Sequence, residues 1–141
     1  MKVFVKTFGC ELNKADSEVI SGILYKSGFK LVNNIKSAKI VVVNTCGVKL
    51  PTQHKVLDYI KRIPKSKKVV VGGCLPRMID VKESAPNTGL VFDTNSITKI
   101  VELIKKNKSF LSDTKENRIG KPVVRIKKDT SIIPISQGCL G

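Results

Sequence analysis

Tryptophan is absent from the 141 residues and aromatic residues make up only 5% of them, so any core must be built from valine, isoleucine and leucine. Hydrophobic residues nevertheless reach 41%, enough for the chain to fold rather than stay disordered. Long apolar runs are also missing. None is of a length to span a bilayer, and lysines interrupt the opening Met1-Lys2-Val3-Phe4-Val5-Lys6-Thr7, so no signal-peptide core is present. A cytoplasmic location is therefore expected, with no membrane partner. There thiols stay reduced, and the four cysteines point to metal or catalysis before disulfides. Acids are scarce, 11 against 26 lysines and arginines, for a net charge of +15. A lysine-rich thermophile surface would raise glutamate together with lysine. The uncompensated excess calls instead for a polyanionic partner, nucleic acid ahead of an anionic membrane, since no basic amphipathic helix with exposed aromatics is evident.

What is present alternates between strand-like and helix-like runs, the pattern of a parallel α/β sheet. Residues 2–8 read as a strand. Residues 16–26 read as a helix with Val19, Ile20, Ile23 and Leu24 on one face, capped by Asn13 or Asp16 and closed by Gly28. A short strand is expected over 29–32. Ile40-Val41-Val42-Val43 and Val69-Val70-Val71 are continuous β-branched runs, as in strands buried on both faces. Between them a helix over 52–63 carries Val56, Leu57, Ile60 and Ile63, with Thr52 as its cap and Pro64 as its stop. A short helix over 76–83, a strand over 90–92 and a helix over 96–106 follow. Residues 108–121 are polar and read as a linker ending in Gly120 and Pro122. Strand-like runs return at 123–126 and 132–136.

Three cysteines fall at equivalent places. Cys10 follows the first strand through Phe8-Gly9, Cys46 follows 40–43 through Asn44-Thr45, and Cys74 follows 69–71 through Gly72-Gly73. In a parallel α/β sheet all such strand ends lie on one edge. Thiols distant in sequence would therefore converge, with glycines permitting tight turns and helix amino termini favouring anionic sulfur. No C-x-x-C pair of the zinc type occurs. Three thiolates without an evident fourth favour an iron–sulfur cluster with one iron open to another ligand. The plain alternative is three small buried side chains in strand–helix turns. His54, the sole histidine, reads as an exposed helix residue rather than a ligand. Gly72-Gly73 read as turn glycines, since no phosphate-loop pattern follows. The lysines at 61–68 and 105–108 read as solvated helix ends that together could track phosphates.

Four motifs then carry a resemblance. Thr7-Phe8-Gly9-Cys10-Glu11-Leu12-Asn13 with Asp16-Ser17-Glu18 resembles the opening motif of the radical S-adenosylmethionine tRNA methylthiotransferases. Val43-Asn44-Thr45-Cys46-Gly47-Val48 and Val71-Gly72-Gly73-Cys74-Leu75 resemble their second and third cysteine motifs. Ile135-Ser136-Gln137-Gly138-Cys139-Leu140-Gly141 resembles the entry to their radical motif. The resemblance implies that Cys10, Cys46 and Cys74 bind an auxiliary 4Fe-4S cluster whose fourth iron takes part in sulfur delivery. It implies that Cys139 is the first ligand of a second 4Fe-4S cluster, which cleaves S-adenosylmethionine. The product would carry a methylthio group on C2 of a tRNA adenosine next to the anticodon, threonylcarbamoyladenosine if the archaeal and eukaryotic branch is the right one.

The expected organisation is a flavodoxin-like three-layer αβα domain over 1–108 with a mostly parallel sheet, a linker over 109–122, and the start of a radical S-adenosylmethionine barrel over 123–141. On this reading the chain is a fragment, inactive alone, and the sulfur donor is unknown. The rival readings are a non-catalytic basic module that binds RNA with structural cysteines, and a zinc-stabilised domain.

Overall fold

The structure, a computed structural model, describes residues 1–47, 50–126 and 129–133, Leu50 by its backbone alone. Strands β1 (Lys2–Thr7), β2 (Lys30–Leu31), β3 (Ile40–Thr45), β4 (Lys68–Gly73) and β5 (Leu90–Val91) form one sheet in the order β2-β1-β3-β4-β5. Every pairing is parallel. This is the flavodoxin-like order, in which the chain reverses its direction of travel across the sheet between β1 and β3.

The β-branched runs explain the centre. All six residues of β3 are buried, and β4 is buried from its second residue onward. Alternation then splits them between two cores. Ile40, Val42 and Val70 join Val19, Ile20 and Leu24 of α1 (Glu11–Lys26) and Ile100, Leu103 and Ile104 of α4 (Ile100–Lys106) on one face. Val41, Val43, Val69 and Val71 join Val56 and Ile60 of α2 (Leu50–Lys61) and Val81 of α3 (Val81–Ser84) on the other. The result is three layers, α/β/α.

Local details differ from the sequence reading. Helix α1 begins five residues earlier than its apolar periodicity suggests, because Cys10 is the N-cap and the polar Asn13, Asp16, Ser17 and Glu18 are buried. Thr52 lies inside α2 rather than capping it. The helix expected over 76–83 is a 3₁₀ turn, Leu75–Arg77, followed by α3, which Asp80 caps by accepting from the amides of Lys82 (2.9 Å) and Glu83 (3.1 Å). Residues 97–99 are likewise 3₁₀ before α4.

Residues 123–126 form no strand. The Val124 amide donates to the Glu18 carbonyl (3.0 Å) and the Ile126 amide to Glu18 Oε1 (2.9 Å), so this segment's hydrogen bonds go to α1 instead of to a sheet. The polar stretch before it is pinned too. Phe110 forms a bridge with Phe92, the Glu116 carboxylate accepts from the amide and hydroxyl of Thr98, and Arg118 pairs with Asp16.

Candidate metal centre at the strand ends

The three cysteines sit where three neighbouring strands finish. Thr7 pairs with Asn44, Asn44 with Gly72, and Thr45 with Gly73. Cys46 and Cys74 each come one residue after the last pair, and the Cys74 amide donates to the Thr45 carbonyl (2.9 Å). Their backbones are thus lateral neighbours, about 4.8 Å apart at the usual strand spacing. On the other side of β3 the Phe8 amide donates to the Asn44 carbonyl (2.8 Å), which carries the chain to Gly9 and Cys10 on the same rim. Gly9 and Cys46 abut, since a Cβ on Gly9 would stand 2.8 Å from the Cys46 Cβ. Cys10 is exposed, Cys46 and Cys74 are half-buried, and none of the three is in a disulfide.

A polar scaffold beneath the rim fixes these positions. Asn13 Oδ1 accepts from the Cys10 amide (3.2 Å) and from its thiol (3.3 Å), while Asn13 Nδ2 donates to the Thr45 carbonyl (3.2 Å). Asn44, fully buried, donates to the Asn13 carbonyl (2.8 Å) and to Ser17 Oγ (3.0 Å). Thr7 donates to the same Ser17 hydroxyl (2.7 Å), and Thr45 Oγ1 donates to the Gly72 carbonyl (2.7 Å). These bonds lock together the ends of β1, β3, β4 and the first turns of α1. Asn13 and Asn44 were visible in sequence as cysteine neighbours; Asn13 completes the capping box at the start of α1, as expected of a cap residue, and both also tie one cysteine loop to the next. Gln53 of α2 donates to the Gly47 carbonyl and holds the turn after Cys46. Arg77 holds the turn after Cys74: its Nε donates to Asp93 Oδ2 (2.8 Å), a carboxylate with no exposed side-chain surface. That bond raises the Arg77 pKa above its ordinary value. Nothing in the sequence pattern singled out Arg77 or Asp93.

Small residues leave room on the rim. A Cβ on Gly47 would overlap the Met78 thioether and come within 3.4 Å of the Cys74 carbonyl carbon. Among the described residues no three His, Cys, Asp or Glu side chains are set as ligands to a single ion. A cluster several atoms across takes its ligands at wider spacing than one ion does, and a rim of three thiols over a rigid base has the donor set that iron–sulfur clusters use. The residues present therefore fit such a group. His54 is exposed and lies in α2, outside this arrangement. Cys139, expected as a ligand of a second cluster, lies outside the described residues.

A family model described as "Uncharacterized protein family UPF0004" matches residues 2–93, the span that holds all three rim cysteines. This chain belongs to that family, the amino-terminal methylthiotransferase domain. The chain is similar over 99% of its length, at 34% identity, to a protein of Pyrococcus horikoshii named "Probable threonylcarbamoyladenosine tRNA methylthiotransferase". A protein of Methanocaldococcus jannaschii with the same name is 43% identical over 83 residues, 58% of this chain. A "tRNA-2-methylthio-N(6)-dimethylallyladenosine synthase" of a Sulfurihydrogenibium species is 33% identical over 99% of the chain. The chain spans 35% of the Pyrococcus protein's length and 36% of the Sulfurihydrogenibium protein's. No helix among the described residues is long and apolar enough to cross a membrane.

Proposed function

We propose that this domain holds an auxiliary 4Fe-4S cluster on Cys10, Cys46 and Cys74 within a radical S-adenosylmethionine enzyme that methylthiolates tRNA. The observation that carries the reading is the shared rim: three thiols from three adjacent strand ends, tied to one another by Asn13, Asn44 and Thr45. When bound, the cluster supplies an iron with an open position at which sulfur is delivered. The chain's own residues do the rest. The three thiolates grip one face, and the glycines at 9 and 47 keep bulk away from Cys46 and Cys74. The start of α1 turns its amides toward Cys10, where they favour negative charge.

Cys139 would be the first ligand of the second cluster, at which S-adenosylmethionine binds in the whole enzyme. Threonylcarbamoyladenosine is the proposed substrate, supported by the names of the archaeal relatives. The domain boundaries proposed are 1–108, a linker over 109–122, and the start of the radical domain from 123. Reduced thiols and a tRNA partner suit a cytoplasmic enzyme.

Anaerobic reconstitution with iron and sulfide tests the reading. The wild-type chain should develop the broad visible charge-transfer absorption of an iron–sulfur cluster. The variant with Cys10, Cys46 and Cys74 all changed to Ala should lose it and keep its secondary structure. Equal absorption in both proteins would exclude these ligands, and zinc in place of iron in protein purified without air would exclude the cluster.

A further inference from the structure

The amino ends of the strands, opposite the cysteine rim, carry a different chemistry. Lys2 of β1 pairs with Lys30 of β2. Val3 pairs with Ile40 and Ile40 with Lys68, which puts Lys39 beside Lys2 and Lys67 beside Lys39. The edge hydrogen bonds give the same neighbours: the Lys39 amide donates to the Lys2 carbonyl (3.0 Å) and the Lys68 amide to the Lys39 carbonyl (3.0 Å). Lysine thus occupies one transverse row over four adjacent strands, with successive backbones about 4.8 Å apart and about 14 Å from end to end. Lys2, Lys30 and Lys39 are exposed, while the Lys67 ammonium turns back onto the carbonyls of Lys36 (3.2 Å) and Ala38 (2.7 Å). Because the helices run antiparallel to the strands, Lys26, Lys61, Lys105 and Lys106 finish on this edge as well. Lys106 with Glu102 (2.8 Å) is the one ion pair there among the described residues.

Like charges directly opposite one another across strands destabilise a sheet. The helix-end lysines have a structural reason, because they offset the negative end of a helix dipole. Strand starts have no dipole of that size, so no such dipole offsets the repulsion along the row over β2, β1 and β3. A phosphate backbone laid along it would reverse the sign of that interaction and release the condensed counterions. Tyr25, 67% exposed in the last turn of α1, adds an aromatic face of the kind on which an unpaired base stacks. A membrane surface fits less well, since the apolar face of α1 (Val19, Ile20, Leu24) is spent in the core and offers nothing to insert.

We propose that this edge, centred on Lys30, Lys2 and Lys39, is a second RNA contact that grips backbone phosphates on the far side of the domain from the cysteines. It rests on the proposed function for the identity of the RNA as tRNA. The six residues of β3 separate Lys39 from Cys46, about 23 Å from one to the other at the usual strand rise. An RNA segment held here is therefore not the one presented to the rim. Such contacts supply affinity and orientation without reading sequence.

The test is fluorescence anisotropy of a labelled tRNA transcript with the 141-residue chain across a salt series. Changing Lys2, Lys30 and Lys39 together to Gln should weaken binding about 10- to 100-fold at 0.1 M salt. The slope of log affinity against log salt should fall by about 2–3 units. Because it relieves like-charge repulsion, the same variant should melt no earlier than wild type. A control with Lys55, Lys82 and Lys115 changed to Gln removes the same charge from exposed positions elsewhere and should stay within about threefold of wild type. Equal losses in the two variants would reduce the effect to net charge and overturn the proposal. So would unchanged tRNA binding by the row variant, including the case where it loses only phosphatidylserine vesicles or polyglutamate. Iron uptake by the row variant should match wild type, which keeps this proposal and the cluster assignment separately falsifiable.

Discussion

Gly73→Ala should unfold the rim and cost the domain about 2–6 kcal/mol, with loss of iron uptake in parallel. Gly73 closes β4 immediately before Cys74 and has φ +100°, a conformation that side-chain-bearing residues rarely adopt. Strain of that kind amounts to about 1–3 kcal/mol. Space is the second obstacle. An added Cβ would overlap the Thr45 carbonyl oxygen and stand 2.6 Å from Asn44 Oδ1 and 2.8 Å from the Thr45 amide nitrogen. Those are backbone and fully buried groups of β3, so no flexible side chain can move aside. Overpacking a close-packed site adds about another 1–3 kcal/mol. Gly28→Ala is the comparison. It also has positive φ (+85°), but nothing lies within 4 Å of its Cβ position, so only the backbone strain should register. Urea unfolding of the two variants measures the difference. A Gly73→Ala protein as stable as Gly28→Ala would contradict a crowded end of β4.

Arg118→Ala should destabilise the chain strongly at pH 8 and weakly at pH 5. Arg118 reaches Asp16 of α1 and the Thr94 carbonyl, and both charged side chains are nearly buried, at 10% and 5% exposure. Burial raises the Asp16 pKa from 3.8 to about 6, and the nearby Arg118 charge holds it from rising further. The sign of the pH dependence follows. A carboxyl whose folded pKa lies above its unfolded value binds more protons in the folded state. Its contribution to stability is therefore greatest below pH 4 and is lost as pH climbs through about 6. Without Arg118 the charged carboxylate has no close cation, and at pH 8 the loss should approach about 3 kcal/mol, the usual scale for stranding one member of a buried pair. At pH 5 Asp16 accepts a proton and most of that loss disappears. Asp16→Asn in the wild-type background should flatten the stability profile between pH 5 and 8. An Arg118→Ala deficit of equal size at both pH values would contradict the assignment.

The central architecture was legible because its signals are local. Ile40–Val43 and Val69–Val71 announce strands buried on both faces by composition alone, and Cys10, Cys46 and Cys74 each stand within three residues of a strand's carboxyl end. Chain connectivity then forces a common rim once all strands are parallel. The start of α1 was not legible. The apolar period begins with Val19, whereas Asn13, Asp16, Ser17 and Glu18 are buried by partners far away in sequence. Glu18 receives Arg125 (2.9 Å) and the Ile126 amide, more than 100 positions along the chain. Residues 123–126 have β-branched composition, but a backbone that hydrogen-bonds a helix leaves no periodic trace in sequence. The lysine row is hidden for the same reason. Lys2, Lys30 and Lys39 look unrelated until the parallel register lines them up.

Three thiols from three strand ends should suffice to hold a cluster without Cys139. Quantifying iron and acid-labile sulfide per chain in an anaerobically reconstituted Cys139→Ala variant addresses it directly. About four of each per chain, lost when Cys46 is additionally replaced by Ala, is the predicted result. A single iron with no labile sulfide, or a cluster that vanishes with Cys139 alone, would contradict it.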